Sequence, residues 1–213
     1  MALSDRLDAP DYYDRDAVGF AARYNSVSFE AVHPLLLRYL PATGRALDVG
    51  AGSGRDARAM AKRGMMVTAV EPSDGLRAIA AANSAGIRWI DDRLPHLSRL
   101  AGEAGQYDFV LCSAVLMLVP SGDLAPSLTA MAALLGEGGR LGLNLRAPRS
   151  GEPADLFFDH RDDAVLAAAE AAGLACLDWG EDDDAIGRGG YRWRSFVFEF
   201  LTKPNGETNA PAR

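Results

Sequence analysis

Short apolar runs recur through the middle of this chain, separated by longer stretches with helical spacing. Ala46, Leu47 and Val49 form the first run, interrupted only by Asp48. Further runs at residues 65–70, 87–90, 107–111, 141–145 and 174–179 read as strands, the continuous ones buried on both faces. The stretches at 55–63, 74–83, 123–135 and 162–172 read as helices. Gly64 and Gly173 are placed to end the first and last of these, Ser73 to cap the second, and Pro126 falls in the first turn of the third. Strand–helix alternation of this kind predicts an α/β protein with a largely parallel sheet. The last link, through Gly187, Gly189 and Gly190, is too short for a crossover. The alternating aromatic strand after it, at 191–201, should therefore run antiparallel to its predecessor. Residues 12–40 are amphipathic and helical in character, with Pro34 placed to open a second helix. They precede the first strand, which suggests a helical cap over residues 1–40, a core over 41–202 and a polar tail over 203–213. The first ten residues are expected to be mobile.

Composition narrows the classes. With 213 residues, 48% of them hydrophobic and 24% charged, the chain suits one globular domain. A net charge of −7 argues against a broad nucleic-acid footprint but leaves room for a local basic pocket. No run reaches the ~18 apolar residues of a membrane span, and the first ten residues lack a hydrophobic signal core, so a cytoplasmic protein is expected. Cys112 and Cys176 both fall in predicted strands and are expected as buried, reduced thiols. No metal-type spacing occurs, and the acid run 181–184 reads as a solvated turn.

The chemistry concentrates after the first strand. Gly50, Gly52 and Gly54 occupy alternate positions between that strand and the next helix. Glycine lets such a loop turn sharply and brings a ligand against the backbone. Strand, glycine loop and helix N-terminus together make a binding corner at the carboxyl edge of a parallel sheet. A dinucleotide fingerprint would need a third glycine where Arg55 stands. Glu71 ends the second strand, 21 positions beyond Gly50, where a carboxylate can accept both ribose hydroxyls. Leu76 follows at a place suited to cover one face of a base.

The pattern Asp48-x-Gly50-x-Gly52-x-Gly54 resembles motif I of the class I S-adenosylmethionine-dependent methyltransferases. LLGEGGRL resembles the LL-x-P-GG-x-L run before strand five of that family, with Glu137 in place of proline. The resemblance implies a Rossmann-like seven-stranded sheet in the order 3-2-1-4-5-7-6, strand seven reversed, with helices on both faces. It implies S-adenosylmethionine as donor, S-adenosylhomocysteine as product and no metal. Asp48, Gly50, Ala51, Gly52, Gly54 and Arg55 would surround the donor's amino-acid end, with Glu71 and Pro72 at the ribose. Leu76, Arg93 and one of Asp91 and Asp92 would sit at the adenine, and Ser113 and Ala114 near the methyl group. The cap and the irregular stretch after Arg146 resemble the variable parts of members acting on small molecules, so a small-molecule acceptor is implied. Neither nucleic acid nor membrane is implied as a partner, and the oligomeric state stays open. Asp184 to Arg188 with the later Trp193 looks like bacterial relatives.

Family members often carry a histidine after the fourth strand, in a run like W-M-H-L-P. Here Leu118 stands in its place, so no base comes from that corner. Methyl transfer from a sulfonium needs a base only for a weakly acidic hydroxyl or a protonated amine. The candidates are His160 first, then Tyr24, His33 and Asp159. Two other functions stay in view: a donor-binding regulator without turnover, and a nicotinamide oxidoreductase, which Arg55 disfavours.

Overall fold

A computed structural model describes residues 8–201. Three helices come first: α1 (Ala9–Asp14), α2 (Ala17–Asn25) and α3 (Phe29–Val32). The sheet follows with β1 (Gly44–Val49), α4 (Arg55–Lys62), β2 (Met65–Val70), α5 (Asp74–Ala82), β3 (Arg88–Ile90), β4 (Tyr107–Ser113), α6 (Leu124–Leu134), β5 (Leu135–Leu145), α7 (Asp162–Ala171), β6 (Leu174–Asp183) and β7 (Arg192–Phe200). The seven strands lie in the order β3-β2-β1-β4-β5-β7-β6. β7 alone is antiparallel to its neighbours, as the short last link requires. This is the seven-stranded Rossmann-like sheet that the strand pattern and the resemblance implied.

Alternation along the central strands feeds two cores. From β1, Leu47 and Val49 pack on the face covered by α6 and α7, with Leu128, Met131, Val165 and Ala169. Ala46 packs on the opposite face with Met60 of α4. β4 divides likewise, Val110 and Cys112 to the first face, Phe109 and Leu111 to the second. Burial on both faces explains why these strands read as continuous apolar runs.

Several expectations need correction. Residues 12–40 are broken into short pieces rather than two long helices, and Pro34 sits in a turn before a 3-10 turn at Leu36–Arg38. Phe29 and Leu36 are buried in the second core, so the segment from α3 onward packs with the sheet. Ala9 and Pro10, expected to be mobile, open α1 under an Asp8 N-cap. Residues 1–7 and 202–213, including the tail 203–213, lie outside the described residues. The GEGGR turn belongs to β5 itself. The β4–β5 register jumps between Tyr107 and Phe109, and Gly138 takes up the irregularity at φ 68°. A Cβ on Gly139 would come within 2.9 Å of the Tyr107 carbonyl oxygen, so only glycine permits that pairing. Residues 181–183 continue β6, because Glu181, Asp182 and Asp183 pair with Arg194, Trp193 and Arg192 of β7. Cys112 is buried as expected, but Cys176 is exposed, since β6 is the sheet's outer strand; both are free thiols. Among the described residues no helix is long and apolar enough to cross a membrane.

Candidate active site

A cavity of about 680 Å³ runs along the carboxyl edge of the sheet, between the glycine loop and the β6–β7 hairpin. β1 delivers the loop to its floor. Gly50, Gly52 and Gly54 all take positive φ, at 68°, 54° and 74°. A Cβ at Gly50 would lie 2.3 Å from Val115 Cγ2, so the loop and the β4 exit pack too closely for any side chain there. A Cβ at Gly52 would meet Tyr24 Cδ2 at 3.8 Å, an ordinary contact, so the middle of the loop is less crowded than Gly50.

Glu71 pins the loop from across β2. Its Oε2 accepts from the Gly52 N–H at 2.7 Å and its Oε1 from the Ser73 N–H at 2.8 Å. Burial pushes its carboxyl up to about 7, against the opposing pull of those two amides. Asp48, also in the cavity wall, is buried, and its Oδ2 has no hydrogen-bond partner. Burial and then the Asp56 charge hold its carboxyl well above the usual range. A buried orphan carboxylate oxygen is costly unless a donor meets it, and a ligand ammonium is a donor of the right charge. With the less crowded Gly52 and the ionisable Glu71, these residues fit an amino-acid-bearing nucleoside. Pro72, Leu76, Asp92 and Arg93 continue the wall toward the base end.

Beside the loop sits a closed ionic group. Arg55 grips Asp56 through Nε at 2.6 Å and Nη2 at 2.8 Å, and His33 Nε2 lies 3.0 Å from Asp56 Oδ2. Burial raises the Asp56 carboxyl, but His33 and Arg55 outweigh it and hold it well below the usual range. Arg55 also reaches the Tyr24 carbonyl at 3.4 Å, tying the end of α2 to the glycine loop.

The sequence expectations divide on this geometry. The structure brings Asp48, Gly50, Ala51, Gly52, Arg55, Glu71, Pro72, Leu76, Asp92, Arg93, Ser113 and Ala114 to one cavity. It separates Asp91 from Asp92: Asp91 is outside the wall, 3.6 Å from Arg77 and 3.9 Å from Arg99. Gly54 is not in the wall either. It forms the left-handed start of α4, and its missing Cβ leaves room for Trp89. Of the base candidates only Tyr24 lines the cavity. His33 is fully buried behind the loop, on Asp56. Asp159 is exposed, 3.9 Å from Arg194. His160 lies beneath the β4 exit, its Nε2 2.8 Å from the Leu116 carbonyl and 3.0 Å from that of Val119. Its donor is spent on fixing the apolar corner, which is why it does not face the cavity.

Comparison with known proteins bears on these features. Residues 46–139 match the model of a family described as a methyltransferase domain. The chain is 37% identical over 122 residues to a ubiquinone biosynthesis O-methyltransferase of Xanthomonas axonopodis pv. citri, covering 54% of this chain and 50% of that protein. The chain thus spans about half the length of the curated relatives it matches. Over residues 46–139 the chain is thus similar to methyltransferase domains. In fold, the chain is similar to 1,6-didemethyltoxoflavin-N1-methyltransferase of Burkholderia thailandensis, with a TM-score of 0.66, 18% identity and 94% of each chain covered. It is similar too to magnesium protoporphyrin IX methyltransferase of Synechocystis PCC 6803, with a TM-score of 0.63, 18% identity, and 88% and 84% of the two chains covered.

Outside residues 46–139 the cavity is finished by α1, α2, Val32 of α3, the end of β5 with the loop after it, and the β6–β7 hairpin. Arg146, at the end of β5, is buried and held by Glu152 at 2.6 and 2.9 Å, with the rings of Phe157, Tyr191 and Trp193 around its guanidinium at 5.3, 4.7 and 5.9 Å. Asp184 organises the hairpin: it accepts from Trp193 Nε1 at 2.9 Å and from the backbone N, Nε and Nη2 of Arg188. Burial would raise its carboxyl, but these donors hold it well below the usual range. Asn144 lies in the floor, opposite Ser113 in register, its Nδ2 donating to Ser195 Oγ at 3.1 Å. Sequence reading passed over Asn144 and Arg146, although each is polar in or at the end of an otherwise apolar strand.

Proposed function

We propose that this chain binds S-adenosylmethionine along the glycine loop and methylates a small-molecule acceptor at the hairpin end of the same cavity. One observation carries the reading: two buried carboxyl groups, Asp48 and Glu71, line one cavity together with a glycine loop whose residues Gly50 and Gly52 take positive φ. Glu71 is placed to accept ribose hydroxyls, Asp48 to meet an ammonium, and Leu76 and Asp92 to take the base. The donor, when bound, supplies a methyl group already activated on a sulfonium. The chain's part is then to align an acceptor and exclude water, which close positioning at an apolar corner serves. Leu116 and Met117 at that corner are buried, and His160 fixes the backbone between them and Val119. Burial raises the Tyr24 hydroxyl above its ordinary value, so this cavity-lining phenol is a poor base at neutral pH. That favours an acceptor which reaches the cavity already nucleophilic.

Calorimetry with S-adenosylhomocysteine and with NAD tests the donor half, the first expected to bind and the second not. Tighter binding of NAD would overturn it. Transfer of labelled methyl to a metabolite panel tests turnover; donor binding with no transfer to any member would favour a regulator.

A further inference from the structure

A polar row crosses three strands of the sheet at the cavity floor: Ser113 on β4, Asn144 on β5 and Ser195 on β7. Asn144 is the register partner of both serines. Register partners put their side chains on one face of a sheet. Asn144 is 2% exposed and Ser195 fully buried, and their chain neighbours Leu143, Leu145 and Phe196 are core residues. Ser113 and Asn144 line the cavity, and Ser195 stands behind them. The Asn144 amide is half used. Its Nδ2 donates to Ser195 Oγ at 3.1 Å, while its Oδ1 accepts from no described residue.

The surroundings of this amide fix what it can meet. A Cβ on Gly50 would lie 2.3 Å from Val115 Cγ2, so the glycine loop touches the β4 exit. One residue back, the Ala114 N–H donates to the Asn144 carbonyl at 2.7 Å, with Ala114 turned to φ 59°. β4 lies between β1 and β5, which puts Asn144 two strand spacings from the loop, about 10 Å. Ala114 also packs with the apolar group of Met117, Leu156, Phe157 and Trp193.

Resting on the methyl-transfer reading above, we propose that Asn144 Oδ1 holds the acceptor's nucleophile through an N–H, and that the acceptor is a neutral amine on a flat apolar ring. The row consists of two hydroxyls and an amide, and none of these keeps a proton at neutral pH. A phenol placed there would offer its O–H but find no base in the row. A thiolate or carboxylate needs no base, but its lone pairs would face those of Oδ1. An unprotonated amine has both a free pair and a hydrogen to give. Its pair bonds to the methyl carbon, the carbon–sulfur bond breaks with its electrons left on sulfur, and the methylated ammonium then loses a proton to water. Positive charge grows on the nitrogen as the bond forms, so the N–H···Oδ1 contact is strongest in the transition state.

The test is transfer of labelled methyl from S-adenosylmethionine by the full chain, on probes that share a ring. Aniline, 5-aminoindole and 6-aminoquinoline are each compared with the hydroxyl, thiol and carboxylic acid at the same ring position. In at least one set the amine should be methylated about tenfold faster or more, in kcat/KM, than its counterparts, which lack a base or a hydrogen. Asn144→Leu should lower that value by about 10²-fold, mostly in kcat, the scale of one lost transition-state hydrogen bond. Asn144→Asp keeps an oxygen in place and should retain more activity than Asn144→Leu. Calorimetry with S-adenosylhomocysteine should give affinities within about twofold of the unaltered chain for both variants, which also shows that they fold. No amine methylated, another member preferred in every set, or amine methylation that survives Asn144→Leu overturns the proposal while the donor-binding reading stands. Failure of the unaltered chain to bind S-adenosylhomocysteine removes that reading, and this inference with it.

Discussion

The two ends of the cavity, the proposed donor end at the glycine loop and the proposed acceptor end at the β6–β7 hairpin, are built in different ways. At the donor end the work is done by backbone. Three glycines at positive φ shape the loop, and two carboxylates from the neighbouring strands β1 and β2 face it. At the acceptor end it is done by pairs of side chains: Arg146 with Glu152, Asp184 with Arg188 and Trp193, Tyr12 with Phe157. The donor end cannot change a residue without moving the sheet's own loop. The acceptor end can exchange one pair at a time on a fixed frame.

Substitutions can separate the ends. The largest effect is expected from Glu71→Ala, which should weaken donor binding by ~2–3 kcal/mol, roughly 30- to 150-fold, as hydrogen bonds to a charged group are lost. Asp184→Asn should leave donor affinity alone; equal losses in the two variants, read by calorimetry with S-adenosylhomocysteine, would erase the distinction. His160→Ala should lower stability by about 2 kcal/mol, or roughly 4–8 °C in Tm, because the carbonyls of Leu116 and Val119 lose their donor. Donor affinity should hold, and once an acceptor is found the pH–rate profile should keep its shape. A loss of ~10²-fold in kcat with an altered profile would instead make His160 a base.

The donor end should also respond to pH. Ribose hydroxyls need an ionised Glu71, while the empty protein holds a proton there below about 7. Donor affinity should therefore fall about tenfold between pH 8 and pH 6 and stay flat above pH 8. Asp48, raised in the same direction, adds to the slope, so Glu71→Gln should reduce it rather than abolish it. In the empty protein the sign reverses: ionising a buried Glu71 costs stability as pH rises toward 7. The smallest effect joins the two ends. Asp14 of α1 accepts from Ser73 Oγ at 2.5 Å and Gly75 N at 2.9 Å, tethering the cap to the start of α5. At this exposed site Asp14→Ala should cost under about 1 kcal/mol. It should speed hydrogen exchange over residues 12–24, and S-adenosylhomocysteine should slow it. Exchange indifferent to both would make the cap an independent unit.

What could be read from sequence follows the same divide. The strand–helix alternation and the reversed β7 rest on local patterns, the strand order came with the resemblance, and Glu71 could be placed beside the glycine loop because it ends the next strand. The choice between Asp91 and Asp92 depended on how a loop closes: both Asp92 oxygens accept backbone amides, from Arg93 and Arg99, which holds Asp92 in the loop that lines the cavity, while Asp91 lies near Arg77 and Arg99. His160 reads as a base candidate in sequence because nothing nearby reveals the carbonyls of Leu116 and Val119, more than forty residues back.

The reversed last strand also bears on how such a protein could diversify. β6 runs with β5 and β7 against both, so their hairpin turns at the same edge as the cavity. Every other link between neighbouring strands must cross the sheet and carries packed residues with it. The hairpin tip carries almost none: Ala185, Gly187, Gly189 and Gly190 are exposed. Lengthening a tip of this kind costs only ~0.6 kcal/mol per doubling in loop entropy. Residues 185–190 are thus a place where insertions would reshape the acceptor's surroundings while the donor loop, on the far side of the cavity, kept its geometry.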